Sequence, residues 1–276
     1  MRAVLFDLDN TLILEDEATF AAVRVTCDVA RERASVDTVA LYDATLRAAD
    51  SLWRASSTFA YAEAMGIWWG EGLWGEFVGD APGLRALRAF APRFRRETWH
   101  AALASLGVAD TALASELAAA YRGVRRAKQL VDPEAESVLD DLARDHRLGL
   151  VTNGAPDVQR KKLAGTTLGS RFATIVISAE LGIAKPDPRI FEVALGVLGA
   201  APRDAAMVGD SLPRDVAGAH QAGLRAIWID RALAAAKADD PVPDARIRAL
   251  SEVRSALAAT APGGASPRGS RGPHPA

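Results

Sequence analysis

The sequence predicts an α/β protein in which a doubly wound parallel sheet carries an all-helical insertion after its first strand. Three observations predict it. A buried apolar run, Val4-Leu5-Phe6, opens the chain and ends at the carboxylates of Asp7 and Asp9. More than a hundred residues with helical patterning follow. Beyond them, short apolar runs alternate with helices, which specifies parallel strands joined by crossovers. A lone strand is not stable, so the first one has to pair with the distal set.

Taking the chain in order, Asp7 and Asp9 stand two residues apart, so a strand continuing through both would point them the same way. They would lie at the C-terminal edge of the sheet, where open α/β folds bind ligands. Two carboxylates beside a buried strand are costly unless a divalent cation joins them. An EF-hand loop does not fit, because Leu12 stands where its sharp turn needs Gly and Ala18 where its Glu belongs.

From 15 to 128 the pattern is helical, with apolar residues three and four apart, as in Phe20-Val23 and Leu113-Leu117-Tyr121. Five of the six Trp lie here (Trp53, Trp68, Trp69, Trp74, Trp99), as expected for a bundle core. Several flank the glycine-broken stretch 66–75, which leaves an aromatic loop beside a pocket as the sharper alternative. That stretch also spells G-x-G-x-x-G, but no strand precedes it and no acidic residue follows at the required distance, so it is no dinucleotide site. Arg93, Arg95 and Arg96 read as a solvated helix face, with recognition of a carboxylate or second phosphate as the alternative.

After Val131-Asp132-Pro133 the expected order is helix 134–145, strand 148–152, helix 156–163, strand 174–178, helix 188–198, strand 205–209, helix 214–221 and strand 225–229. With the first strand this makes at least five. The Pro- and Gly-rich end from 260 reads as a disordered tail. The expected division is therefore 1–14 with 129–259 as a discontinuous core, 15–128 as a helical cap, and 260–276 as tail.

Composition narrows the function. A net charge of -2 gives no reason to expect a nucleic-acid or membrane partner. A single cysteine, Cys27, excludes an intrachain disulfide and a thiolate zinc site. No signal-peptide pattern and no long apolar stretch appear, so a cytoplasmic protein is expected. His100, His146, His220 and His274 are scattered and no G-x-S-x-G occurs, which leaves a zinc or serine hydrolase unsupported.

Three further polar clusters end strands of the expected sheet or lie just beyond them: Thr152-Asn153-Gly154, Lys185-Pro186-Asp187-Pro188, and Gly209-Asp210-Ser211 with Asp215. Each alone has an ordinary explanation as a turn or helix start. Their convergence on one sheet edge does not. With Asp7-Leu8-Asp9-Asn10-Thr11, these motifs resemble, in order, those of the haloacid dehalogenase-like hydrolases, specifically the phosphatases with a helical cap after the first strand. The resemblance covers the chain up to the tail, and within the cap only in general form.

The resemblance implies a phosphomonoesterase acting on a small phosphorylated metabolite. Asp7 would be the nucleophile, forming an aspartyl-phosphate. Asp9 would act as acid and then base, its backbone carbonyl touching the metal. Thr152 would hold the phosphoryl group with Asn153 nearby, and Lys185 would neutralise its charge. Asp210 would ligate Mg²⁺ together with Asp7 and Asp9, and Asp215 would ligate it or orient Lys185. A sugar phosphomutase shares these residues. A 2-haloacid dehalogenase typically lacks the second acid, here Asp9. A non-catalytic binding protein on this fold usually lacks a core residue, and none is missing. Monomer and homodimer are both compatible. The Thr-Asn-Gly motif and long cap also resemble the N-acylneuraminate-9-phosphatase-like branch.

Overall fold

The computed structural model describes residues 3–127, 129–231, 233 and 237–260. Strand β1 (Ala3–Phe6) leads into a long helical excursion: α1 (Glu15–Ala34), α2 (Thr38–Arg54), α3 (Phe59–Met65), the single turn α4 (Trp69–Gly72), α5 (Pro82–Ser105) and α6 (Thr111–Ala127). The chain then alternates: α7 (Ala135–Leu142), β2 (Arg147–Thr152), α8 (Pro156–Ala164), β3 (Thr174–Ile177), the short α9 (Ser178–Leu181), α10 (Pro188–Leu198) and β4 (Ala205–Gly209). A π-helical turn over Leu212–Val216 runs into α11 (Ala217–Gln221), followed by β5 (Arg225–Ile229), β6 (Ala245–Ile247) and α12 (Val253–Ala259).

The six strands form one parallel sheet in the order β3-β2-β1-β4-β5-β6. β1 lies at its centre, pairing with β2 on one side and β4 on the other. This is the partnership an isolated first strand requires. Its side chains divide as the pleat dictates. Val4 and Phe6 pack on one face with Leu139, Leu163 and Val253, while Ala3 and Leu5 pack on the other with Phe191, Leu195 and Val216. Both faces of the sheet are thus covered, and the apolar strands have no solvated side. Helices α1 to α6 pack around a further core built on Trp53, Trp74, Phe94, Trp99 and Tyr121, which also takes in Ala155, Val158, Ala179 and Ala184 from the alternating part of the chain.

The sheet contains six strands, within the expectation of at least five; the one not assigned from the sequence, β6, is only three residues long. Its Ala-Arg-Ile lies in a stretch rich in Asp and Pro, which hid the pattern. The expected helix at 214 begins instead as a π turn at Leu212 and becomes α-helical at Ala217. Helix α7 is shorter than the 134–145 expected. Of the glycine-broken stretch, Gly66 ends α3 in the left-handed region and 69–72 nevertheless form one helical turn. The expected tail, beyond Thr260, lies outside the described residues.

The two crossings to the helical excursion lie side by side. Ile13 and Val131 form an antiparallel bridge, flanked by Leu14 N–H to Leu130 O at 2.7 Å and Asp132 N–H to Leu12 O at 2.9 Å. Arg231 fastens both strands, donating to Thr11 O at 2.8 Å and to Asp132 at 2.7 Å. None of the described helices is long and apolar enough to cross a membrane.

Candidate active site

The polar clusters do meet at one edge of the sheet. Because β1 and β4 are neighbours in register, the residues that leave their C-terminal ends are brought together: Asp7 N–H still donates to Val208 O at 2.9 Å. Asp210 follows β4, and the π turn returns Asp215 to it. Asp215 closes that turn, its N–H donating to Ser211 O at 2.8 Å and its carboxylate accepting from Ser211 N–H at 3.0 Å. Gly209 makes the return possible, since a Cβ there would stand 2.3 Å from Asp215 Oδ2. One carboxylate oxygen each of Asp7, Asp210 and Asp215 lie within 4.8 Å of one another.

Lys185 supplies the cation. Its Nζ is 2.5 Å from Asp7 Oδ1 and 2.7 Å from Asp215 Oδ1, with all three side chains buried. Asn153 holds the lysine backbone from both sides: Lys185 N–H donates to Asn153 Oδ1 at 2.9 Å, and Asn153 Nδ2 donates to Lys185 O at 3.0 Å. The amide expected to hold substrate is therefore committed to placing Lys185.

Two carboxylates share that one ammonium and a third, Asp210, stands beside them, and the electrostatics show the excess. Asp7 is pushed up to about 7, chiefly by burial, which outweighs the pull of Lys185 and is reinforced by Asp215 and Asp9. Asp210 is raised well above the usual carboxylate range by burial, then by Asp7 and Asp215. An all-oxygen, multiply anionic donor set of this kind suits a hard divalent cation, so these residues fit the metal that the motifs imply.

Asp9 departs from expectation. The strand stops at Phe6, the N–H groups of Leu12 and Ile13 both turn back to Leu8 O at 2.9 Å, and Asp9 lies in the resulting loop. Its carboxylate does not join Asp7 in the three-acid cluster. It faces Lys162, whose Nζ is 2.8 and 2.9 Å from its two oxygens. Thr152 is fully buried and is not among the residues lining the cavity; its hydroxyl accepts from Gln159 Nε2 at 2.7 Å.

These groups border a cavity of about 420 Å³, a size suited to a small molecule. Asp7, Asp9, Asn153, Lys185, Asp210 and Asp215 form its floor, and Trp68, Asp16 and Arg214 are among the residues around it. Trp68 stacks at a tilt on Trp69 with ring centres 4.8 Å apart, while Trp53, Trp74 and Trp99 are buried. Both readings of the tryptophans therefore hold, for different members. Of the three arginines, Arg93 and Arg96 are exposed as expected. Arg95 is not: it is buried and donates to the carbonyls of Gly72 (3.1 Å) and Gly75, fixing the glycine-rich loop.

Lys162, Gln159, Glu71 and Arg214 were not singled out from the sequence. Only Lys162 left a trace, as one of five lysines among 33 basic residues. The others sit on unremarkable helical patterns and acquire meaning only through tertiary contact.

Comparison with known proteins agrees with this geometry. A phosphoserine phosphatase of Thermus thermophilus is 41% identical over 256 residues, covering 92% of this chain and 98% of that protein. The human N-acylneuraminate-9-phosphatase is 32% identical over 152 residues, 55% of this chain and 61% of that protein. Among solved structures, a 2-haloacid dehalogenase from Pseudomonas syringae pv. Tomato matches with a TM-score of 0.54 and 28% identity, covering 94% of this chain and 98% of that one. Residues 1–223 match the haloacid dehalogenase-like hydrolase family. Together with the parallel sheet and the clustered motifs at its edge, that match establishes that the chain belongs to the haloacid dehalogenase-like hydrolases.

Proposed function

We propose that this hydrolase is a Mg²⁺-dependent phosphomonoesterase for a small phosphorylated metabolite, with phosphoserine the first substrate to test. The observation that carries the reading is the Asp7 carboxylate held against the Lys185 ammonium on the floor of a cavity, with Asp210 and Asp215 beside it. Phosphoserine is suggested by the phosphatase that is 41% identical over most of this chain.

In this reading an Asp7 oxygen attacks phosphorus, forming the aspartyl-phosphate, while the leaving alkoxide takes a proton from Asp9. Water then attacks phosphorus, gives a proton back to Asp9 and releases phosphate with free Asp7. Lys185 offsets charge on Asp7 and the phosphoryl oxygens. Asp7, Asp210 and Asp215, with the Asp9 backbone carbonyl, would hold Mg²⁺, which supplies positive charge to a dianionic substrate in an acidic site. Asn153 serves by fixing Lys185. For Thr152 to bind a phosphoryl oxygen, its hydroxyl has to exchange Gln159 for the substrate.

Residues 1–14 with 129–259 would form the catalytic core and 15–128 a cap closing on the leaving group. The lone thiol, Cys27, is buried and unpaired, in keeping with a cytoplasmic monomer or homodimer. The likeness to a dehalogenase structure raises carbon–halogen cleavage as a rival, but halide departs without a proton and gives Asp9 no work as an acid. The test is phosphate release from p-nitrophenyl phosphate and phosphoserine with Mg²⁺ and no bisphosphate activator. Release by the native chain and none by Asp7→Asn supports the reading. No release by the native chain, or full activity of Asp7→Asn, overturns it.

A further inference from the structure

A second charged cluster lies behind Asp9, and the reaction steps above make no use of it. Lys162 on α8 is fully buried, and its Nζ contacts both oxygens of Asp9, with Glu15 Oε2 at 3.3 Å and Glu71 Oε1 at 3.5 Å. Gln159, one turn earlier on the same helix face, donates from Nε2 to Asp9 Oδ2 at 3.0 Å. Glu15, at the start of α1, is itself paired with Arg125 of α6, and both are buried. Glu71, on α4, also accepts from Ala155 N–H at 3.3 Å beside the Thr152-Asn153-Gly154 motif.

An ammonium contacting both oxygens and an amide bonding one of them fix the plane of a carboxylate. Among the described residues Lys162 is the only cation paired with Asp9. The same Nζ also meets acids carried by the inserted helices, so the direction of Asp9 depends on elements from both parts of the chain. Burying a lysine among three carboxyl groups is costly, and removing one member strands the rest. Stability alone would be served as well by apolar side chains.

We propose that Lys162 is a positioning residue which aims the Asp9 carboxyl at the leaving oxygen, with Glu15 and Glu71 of the inserted helices sharing in the aim. This rests on the phosphatase reading given above.

The test uses the full-length, Mg²⁺-loaded chain and two esters. p-Nitrophenolate leaves without help, whereas the alkoxide of an alkyl phosphate such as phosphoserine needs a proton. For each variant kcat/KM is measured on both esters from one preparation, so that the fraction of folded protein cancels in their ratio. With Lys162→Met, the aryl-to-alkyl ratio should rise by about 10²-fold, the scale of general-acid catalysis. Lys162→Arg should recover part of that loss. Asp9→Asn should raise the ratio as much, and the double variant no further. Equal losses on both esters, or a variant that gains on the alkyl ester, overturn the proposal. Absence of activity on either ester in the native chain would instead overturn the phosphatase reading itself.

Discussion

The Lys185 ammonium lies 2.5 Å from Oδ1 of Asp7, although 178 residues of sequence separate them. The parallel sheet brings their segments together and Asn153 fixes the lysine backbone, with both side chains buried. Asp215 contacts the same ammonium on its other side. The pair is therefore one corner of a charge cluster whose balance changes with every member removed. Lys185→Met should lower kcat by about 10²-fold or more, as loss of a preorganised charge at a reacting group does. In chelator it should also lower the melting temperature, since the acids then stand uncompensated. Mg²⁺ should restore part of that loss in stability, measured by calorimetry.

Chelation should abolish activity and Mg²⁺ restore it. A ligand that binds only the folded state stabilises it, by about 2.7 kcal/mol at a hundred times its Kd. The native chain should therefore melt several degrees higher with saturating Mg²⁺, and Asp210→Asn should lose most of that increment. An unchanged increment in Asp210→Asn would remove this residue from the metal site.

Glu71 carries a pH dependence distinct from the metal cluster. Burial pushes its carboxyl up to about 8 from 4.5; Lys162 pulls against that rise and Asp9 and Glu15 add to it. The folded state thus keeps a proton that the unfolded chain gives up near 4.5. Stability contributed by the protonated form is complete below pH 4.5 and is lost as pH rises towards 8. Glu71→Gln, which cannot ionise, should flatten the fall in melting temperature between pH 5 and 8.5 and melt several degrees above the native chain at the upper end. Parallel curves for the two proteins would refute the assignment.

Arg214 lies beside the cavity, close to Gly66, and forms no ion pair among the described residues. A leaving group with a carboxylate is the natural partner for an uncommitted guanidinium. Arg214→Met should raise KM for phosphoserine by about 10- to 100-fold, the worth of a charge-assisted hydrogen bond. It should change KM for p-nitrophenyl phosphate far less. Equal effects on both substrates would show that Arg214 acts on the phosphate or the fold.

The acids, the amine and the strands that bear them were legible because each strand end carries its own local signature, a run of β-formers broken by a polar cluster. Helix 188–198 and strands 205–209 and 225–229 fall where expected, for the same reason. Asp9 was not legible in full. A spacing of two places both acids on one side only while the strand lasts, and β1 ends at Phe6. Arg95 misled for a related reason: between two exposed arginines it looked solvated, but Gly72 and Gly75 across the bundle offer carbonyls that only a tertiary contact reveals. Lys162 belongs to the same class, since its three acidic neighbours, Asp9, Glu15 and Glu71, come from two segments far from it in sequence.

Ile13 and Val131 touch, and that contact has a mechanical corollary. Two tethers that pass through one place act as one joint, so the inserted helices leave and rejoin the sheet at a single point beside Asp132, where Arg231 clasps both tethers.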